Sequence, residues 1–255
     1  MVGTARRRLR ELRAVLRVTL AVVATLLLGA RPHHGPDPVA PVTRARSLVV
    51  LVHGFGAGPD CFDDLARALG GPGVAVVRHR YCWTAGVEEL AARLADDVAD
   101  LARRTGARSV TVVGHSLGGV VVAASLADRR LAGTATRVVT LGAPLGGTGW
   151  ARLFPVGALR DLRPGAPVLR SLSRPDVPWT TIASRADAVV AVHRATRDGA
   201  EAVVVDRVGH CGLLRDAGVV ARVAALCARP ARPARRRTRR TTTATTTPPS
   251  LTPAA

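Results

Sequence analysis

An apolar, β-branched run, Val110-Thr111-Val112-Val113, leads straight into Gly114-His115-Ser116-Leu117-Gly118-Gly119, and a second apolar run follows without a break. Few chain geometries accommodate that order. A buried strand must stop, turn sharply and start a helix, with glycines where side chains would collide across the turn. Ser116 then stands at the tip of the turn, its backbone strained and its hydroxyl clear of the sheet edge. The helix that opens at Leu117 brings backbone N–H groups and a positive dipole end beside that hydroxyl. The competing interpretation of Ser116 is an ordinary helix N-cap, so the rest of the chain has to supply the deciding partners.

The remaining core sequence alternates between two periods. Short β-branched runs at 47–52, 74–81, 109–113, 137–141, 178–183 and 202–208 predict strands. Helices are predicted at 61–69, 87–104, 117–128 and 216–228, the second of them with Leu90, Leu94, Val98 and Leu101 at helical spacing. Such alternation predicts an α/β domain over 47–228, a mostly parallel sheet of about six strands with helices on both faces. Residues 143–178 form a long Gly/Pro-rich connection, which over the carboxyl ends of strands serves as a binding wall or lid.

A serine hydroxyl is a weak nucleophile near neutral pH and needs a histidine base, which in turn needs a carboxylate to fix its tautomer. Asp187 follows the 178–183 strand, where such an acid belongs; Asp161, Asp176, Asp198 and Asp206 are the alternatives. His210, between Gly209 and Cys211-Gly212 after the 202–208 run, suits a loop that holds an imidazole over the sheet edge, with His193 as its rival. Protonation of that base makes activity fall on the acid side of neutrality. His53-Gly54-Phe55-Gly56 follows the first core strand and fits an oxyanion loop. Leu117 offers one N–H donor and Phe55 a second, with Gly54 and Gly56 as register alternatives. His53 is read as a brace for that loop, and His115 as packing at the elbow or lining the acyl site.

The set H-G-F-G, G-H-S-L-G-G, V-V-T-L-G-A-P-L-G-G-T, I-A-S-R-A-D and V-G-H-C-G-L-L, in order over residues 47–228, resembles the secreted bacterial lipases of lipase class 2. That resemblance implies a small α/β-hydrolase acting on acylglycerols or simple esters. It also implies Ser116 as nucleophile, Asp187 as acid, His210 as base, and Phe55 with Leu117 as oxyanion donors. The long 143–178 connection and the cysteines depart from the compact members. A thioesterase or acyltransferase on the same fold, and a non-catalytic scaffold that binds polyanions, are the competing functions.

The ends of the chain carry separate signals. Six Arg and one Glu in residues 1–30 precede an apolar run at 18–30, short for a membrane span and suited to a signal peptide. An uncleaved signal anchor is the alternative, and either places the protein outside the cell or on its envelope. Residues 31–46, with four prolines, read as a linker. Residues 229–255 hold seven Arg, no acid, and a Thr/Pro-rich end, and read as a disordered tail. The ends thus hold much of the net charge of +19, which therefore says little about the substrate of the fold. A weak contact of the Arg-rich ends with anionic envelope polymers or lipid headgroups and a solvated tail with no partner are the two readings, and no specific nucleic-acid partner is expected. All 37 basic residues are Arg, which nothing in the functional reading requires. Four cysteines in an exported chain point to two disulfides, with Cys61–Cys82 and Cys211–Cys227 favoured because each closes a local loop. No His/Cys/Asp cluster has metal-ligand spacing, so no metal or cofactor is expected, and a monomer acting on a lipid or ester substrate is the expected working form.

Overall fold

In the computed structural model, residues 34–39, 44–153, 157–172 and 177–229 are described. The leader read at 1–30, residues 31–33 and 40–43 of the stretch read as a linker, the tail from 230 onward and Asp176 lie outside them. Among the described residues no helix is long and apolar enough to cross a membrane.

The elements in chain order are β1 (Gly35–Pro38), β2 (Ser47–Val52), α1 (Asp63–Leu69), β3 (Val74–Arg80), α2 (Val87–Thr105), β4 (Ser109–His115), α3 (Leu117–Ser125) and α4 (Arg129–Thr134). They continue with β5 (Arg137–Leu141), α5 (Gly157–Asp161), α6 (Pro167–Ser171), β6 (Trp179–Ser184), α7 (Val192–Ala195), β7 (Glu201–Val205) and α8 (Ala217–Ala228). The strands make one seven-stranded sheet in the order β1-β3-β2-β4-β5-β6-β7, parallel except for β1.

Strand periodicity divides the core into two layers. On β2, Leu48, Val50 and Val52 face one cluster while Val49 and Leu51 face the other. The first layer is closed by α2, α3 and the described part of the 143–178 connection, and the second by α1 and α8. Strands covered on both faces must be apolar at nearly every position, which is why SLVVLV and SVTVVGH read as continuous runs. Helix α2 buries Leu90, Leu94, Val98 and Leu101 as a single stripe, carries Glu88 and Glu89 in its first turn and Arg103 and Arg104 in its last, and ends on Gly106 at φ 66°.

Three local features that the sequence-based expectations did not include have clear causes. Gly35–Pro38, within the stretch read as a linker, pairs antiparallel with β3 at the sheet edge, where Pro36 and Pro38 need not supply N–H groups to a second neighbour. Strand β7 ends at Val205 because Arg207, at φ 60°, turns the chain. The described part of the 143–178 connection packs onto the domain: Ala158, Leu159, Leu162, Val168 and Leu169 join the first core layer, and Asp161 Oδ2 accepts a 2.8 Å hydrogen bond from Val87 N–H at the start of α2.

Chain direction reverses between β2, whose continuation leads to β3, and β4, whose continuation leads to β5. In open α/β sheets the crevice at the carboxyl ends beside such a reversal is the binding position. The elbow after β4 and the H-G-F-G loop after β2 both sit there. The elbow closes because backbones touch: a Cβ on Gly114 would lie 2.5 Å from Gly119 Cα, and one on Gly118 would lie 2.2 Å from Val52 O.

Gly118→Ala should therefore lower stability by at least about 3 kcal/mol, since the obstructing atoms are backbone and cannot rotate away. Gly133→Ala, in α4 with nothing within 4 Å of the added methyl, is the control and should gain about 0.5–1 kcal/mol. Thermal melts of the two variants check the pair; equal midpoints would refute the packing argument.

Candidate active site

Ser116 occupies the N-cap of α3 at φ 53°, ψ −125°, a region that non-glycine residues rarely enter. Holding it there costs about 1–3 kcal/mol. Two backbone bonds offset that cost: Ser116 N–H donates to Leu141 O at 2.9 Å, and Gly119 N–H donates to Ser116 O at 2.9 Å. The first ties the turn to the end of β5 and the second starts the helix. Ser116 is half-buried while the residues on either side are buried.

Asp187 and His210 come from successive loops beyond β6 and β7 and meet: His210 Nδ1–H donates to Asp187 Oδ2 at 2.7 Å. The Asp187 side chain is fully buried and that of His210 nearly so. Burial opposes a charge on Asp187. The bond and charge interaction with His210, together with the N–H groups of Val190 and Val189 on Oδ1 at 2.9 and 2.8 Å, outweigh it and hold the carboxyl below its ordinary range. With Nδ1 committed to Asp187, the neutral His210 ring keeps its lone pair on Nε2. Gly142, at φ 53°, backs this pair; a Cβ there would lie 3.1 Å from Asp187 Oδ2 and 3.2 Å from His210 Nδ1.

The loop that carries His210 is fastened at two backbone carbonyls. Ser184 Oγ donates to Val208 O at 2.5 Å, and the ring of His115 meets His210 O through Nε2 at 3.2 Å. His115 and His210 rings lie 4.8 Å apart, which brings the His210 loop down onto the elbow.

On the opposite side, His53 stacks on Tyr81 at 4.3 Å and donates from Nδ1 to Gly54 O at 2.9 Å, while Tyr81 Oη donates to His53 O at 2.6 Å. Phe55 sets its ring edge-on to Trp83 at 4.5 Å. A Cβ on Gly54 would stand 3.0 Å from Ser116 Cβ, so this loop is in contact with the elbow. Leu117, buried, opens α3, where the first N–H groups have no intrahelical acceptor.

The alternative acids fall elsewhere. Asp161 caps α2, Asp198 is exposed beside Gly199, and Asp206 is exposed in an ion pair with Arg185 at 3.2 Å. His193 is exposed on α7. Sequence reasoning missed Gly142, Tyr81 and Ser184; only the glycine in Leu141-Gly142-Ala143-Pro144, directly after a buried strand, offered a signal.

Neither expected disulfide is formed. Cys82 Sγ shares a hydrogen bond with Thr84 Oγ1 at 2.9 Å instead of meeting Cys61. Cys61 and Cys227 both pack on the second core layer, where burial pushes each thiol up to about 12 and so disfavours the thiolate that disulfide chemistry needs. Short separation along the chain did not bring the chosen pairs together, because neighbouring elements turn their cysteines toward different surroundings. Among the described residues no group of three or more His, Cys, Asp or Glu is placed to hold a metal ion.

Residues 49–223 match the model of the alpha/beta hydrolase family. Among solved structures, the Bacillus licheniformis lipase BlEst2 in mature form superposes with a TM-score of 0.61 at 17% identity, covering 77% of this chain and 97% of that one. A Paleococcus ferrophilus monoacylglycerol lipase gives 0.56 at 15%, covering 76% and 98%. Est1E from Butyrivibrio proteoclasticus gives 0.54 at 15%, covering 77% and 97%. These likenesses are of fold. No curated protein matches the sequence.

Two buried imidazoles make stability depend on pH. Burial pushes His53 down to about 4 and His115 down to about 3. Unfolding frees both to bind protons at the ordinary value, so their contribution is complete above pH ~6.5 and falls as pH drops toward the folded values. Unfolding free energy from urea titrations should fall by about 2 kcal/mol per imidazole between pH 7 and 5, above the carboxylate range. A flat profile over that interval would show that one or both rings are not buried neutral.

Proposed function

The chain belongs to the alpha/beta hydrolase family, and from that premise we propose that it is an exported serine hydrolase of carboxylic esters, a lipase or esterase of the lipase class 2 type acting as a monomer. The observation that carries this reading is the 2.7 Å bond between Asp187 and His210, held by its loop against an elbow whose serine sits at φ 53°. The order Ser116, Asp187, His210 along the chain is the order that this fold uses. The names of the structures it superposes on, two lipases among them, are in keeping with an ester substrate.

In this mechanism Ser116 Oγ attacks the ester carbonyl while His210 Nε2 takes its proton. Asp187 holds the imidazole in the Nδ1–H tautomer and stabilises the imidazolium as it forms. The N–H groups of Leu117 and Phe55 receive the developing oxyanion. His210 then passes its proton to the leaving alcohol, and water, deprotonated by the same imidazole, releases the acid from Ser116. The exposed Trp150 and Leu153, on the connection that leads from β5 toward β6, offer apolar surface for a lipid or acyl chain; Trp150 Nε1–H also donates to Ala188 O, next to Asp187, at 3.2 Å. The leader at 1–30 supports export.

Turnover of p-nitrophenyl esters from short to long acyl chains tests the reading. The wild type should hydrolyse part of the series, Ser116→Ala should lower kcat at least about 10,000-fold, and Asp187→Asn about 1,000-fold or more. The chain-length optimum separates esterase from lipase. Unchanged rates in Ser116→Ala, or no turnover by the wild type across the series, would contradict the assignment.

A further inference from the structure

His115 lies where three parts of the site meet. It precedes Ser116 in the chain. Its Nε2 reaches the carbonyl of His210 at 3.2 Å. Its Nδ1 lies 3.2 Å from the position that a Cβ at Gly54 would take, so the same ring also faces the loop after β2. The residue is 5% exposed.

The protonation of this ring follows from its contacts. A carbonyl oxygen only accepts, so Nε2 carries the proton in the bond to His210 O. Burial and the neighbouring His210 keep the ring neutral at working pH. Nδ1 is therefore a bare lone pair, and it has no hydrogen-bond partner among the described residues. Burying an unpaired acceptor is unfavourable, and an apolar side chain would fill the same space without it. What the imidazole supplies beyond volume is the Nε2–H bond.

We propose that His115 is a positioning residue for the catalytic base: its Nε2–H donates to the His210 carbonyl and fixes where the base loop sits above Ser116. This rests on the reading of Ser116, Asp187 and His210 as a triad. The Nδ1 bond to Asp187 holds the ring of His210 at one end, and Ser184 holds the loop two residues earlier, at Val208 O. Beyond the base, the Leu213 N–H bond to Gly209 O and the buried side chains of Leu213 and Leu214 anchor the far end of the loop. None of these attachments acts on the carbonyl of His210 itself, which the His115 bond does. That bond starts on the residue next to the nucleophile, so nucleophile and base are referenced to each other rather than only to the sheet. Displacement of a reacting group by 1 Å is enough to cost about 100-fold in rate.

The test compares His115→Gln, His115→Leu and Ser116→Ala in the full chain. The amide nitrogen of Gln donates from near the position of imidazole Nε2, whereas Leu fills the space without a donor. The Leu variant should lose about 30-fold in kcat with KM within about twofold, and the Gln variant should stay within about threefold of wild type. Thermal midpoints of the two variants, measured alongside, separate this split from a loss of folded protein. An imidazole 15N spectrum of the wild type should show His115 as the Nε2–H tautomer from pH 5 to 8. Equal rates in the Leu variant and the wild type, Gln no better than Leu, or an Nδ1–H tautomer would each overturn the proposal. If the Leu variant does not fold, the wild-type tautomer and the rate of the Gln variant decide it. Retained turnover in Ser116→Ala would instead remove the triad reading on which the proposal stands, and that outcome is distinct from a change in either His115 variant.

Discussion

The structure depends on backbone touching backbone at the turn after β4. Gly114 meets Gly119, and Gly118 meets the last carbonyls of β2, at distances that leave no room for a methyl group. Closing that gap brings α3 directly onto the sheet edge, drives Ser116 to φ 53°, and sets the first N–H groups of the helix beside the loop that follows β2. A helix displaced by the width of a side chain would lose the close approach of Gly118 to the Val52 and His53 carbonyls. The strain at Ser116 is tolerated because two hydrogen bonds and two covered core layers hold the surrounding backbone.

Around this rigid centre the polar groups are arranged by charge state. Asp187 is buried and yet favours its ionised form, because two backbone N–H groups and the His210 ring together outweigh desolvation. His53 and His115 are buried with no carboxylate against them, and desolvation wins, so both stay neutral. Three histidines within one site thus divide their duties. One faces a carboxylate and keeps an open nitrogen, and two act as hydrogen-bonding struts for the loops on either side.

The parts of this arrangement that were legible in the sequence are those set by strong local constraints. The glycine pattern around Ser116 has few structural solutions, and apolar runs covered on both faces identify the parallel strands. Asp187 and His210 each follow a strand-like run directly, so their loops could be placed at the carboxyl edge. What escaped was set by contacts distant in sequence. Gly35–Pro38 has the composition of a linker and becomes a strand only because the free edge of β3 is available, with Asp37 paired to Arg78 and Arg80. Gly142 is required by the hydrogen bond that forms against it, and nothing in its own neighbourhood announces that bond. Asp161 is spent on the start of α2, 74 residues earlier. The cysteines stay unbridged for the same reason: proximity along the chain does not carry over to proximity in space.

The proposed chemistry requires the strained Ser116 to be a nucleophile rather than a helix cap. Reaction with a fluorophosphonate, which modifies an activated serine and leaves ordinary ones untouched, tests this most directly. Intact-mass analysis should show a single adduct, peptide mapping should place it on Ser116, and denaturing the protein first should abolish it. An absence of adduct on the folded protein, or an adduct on another residue with Ser116 unmodified, would contradict the account.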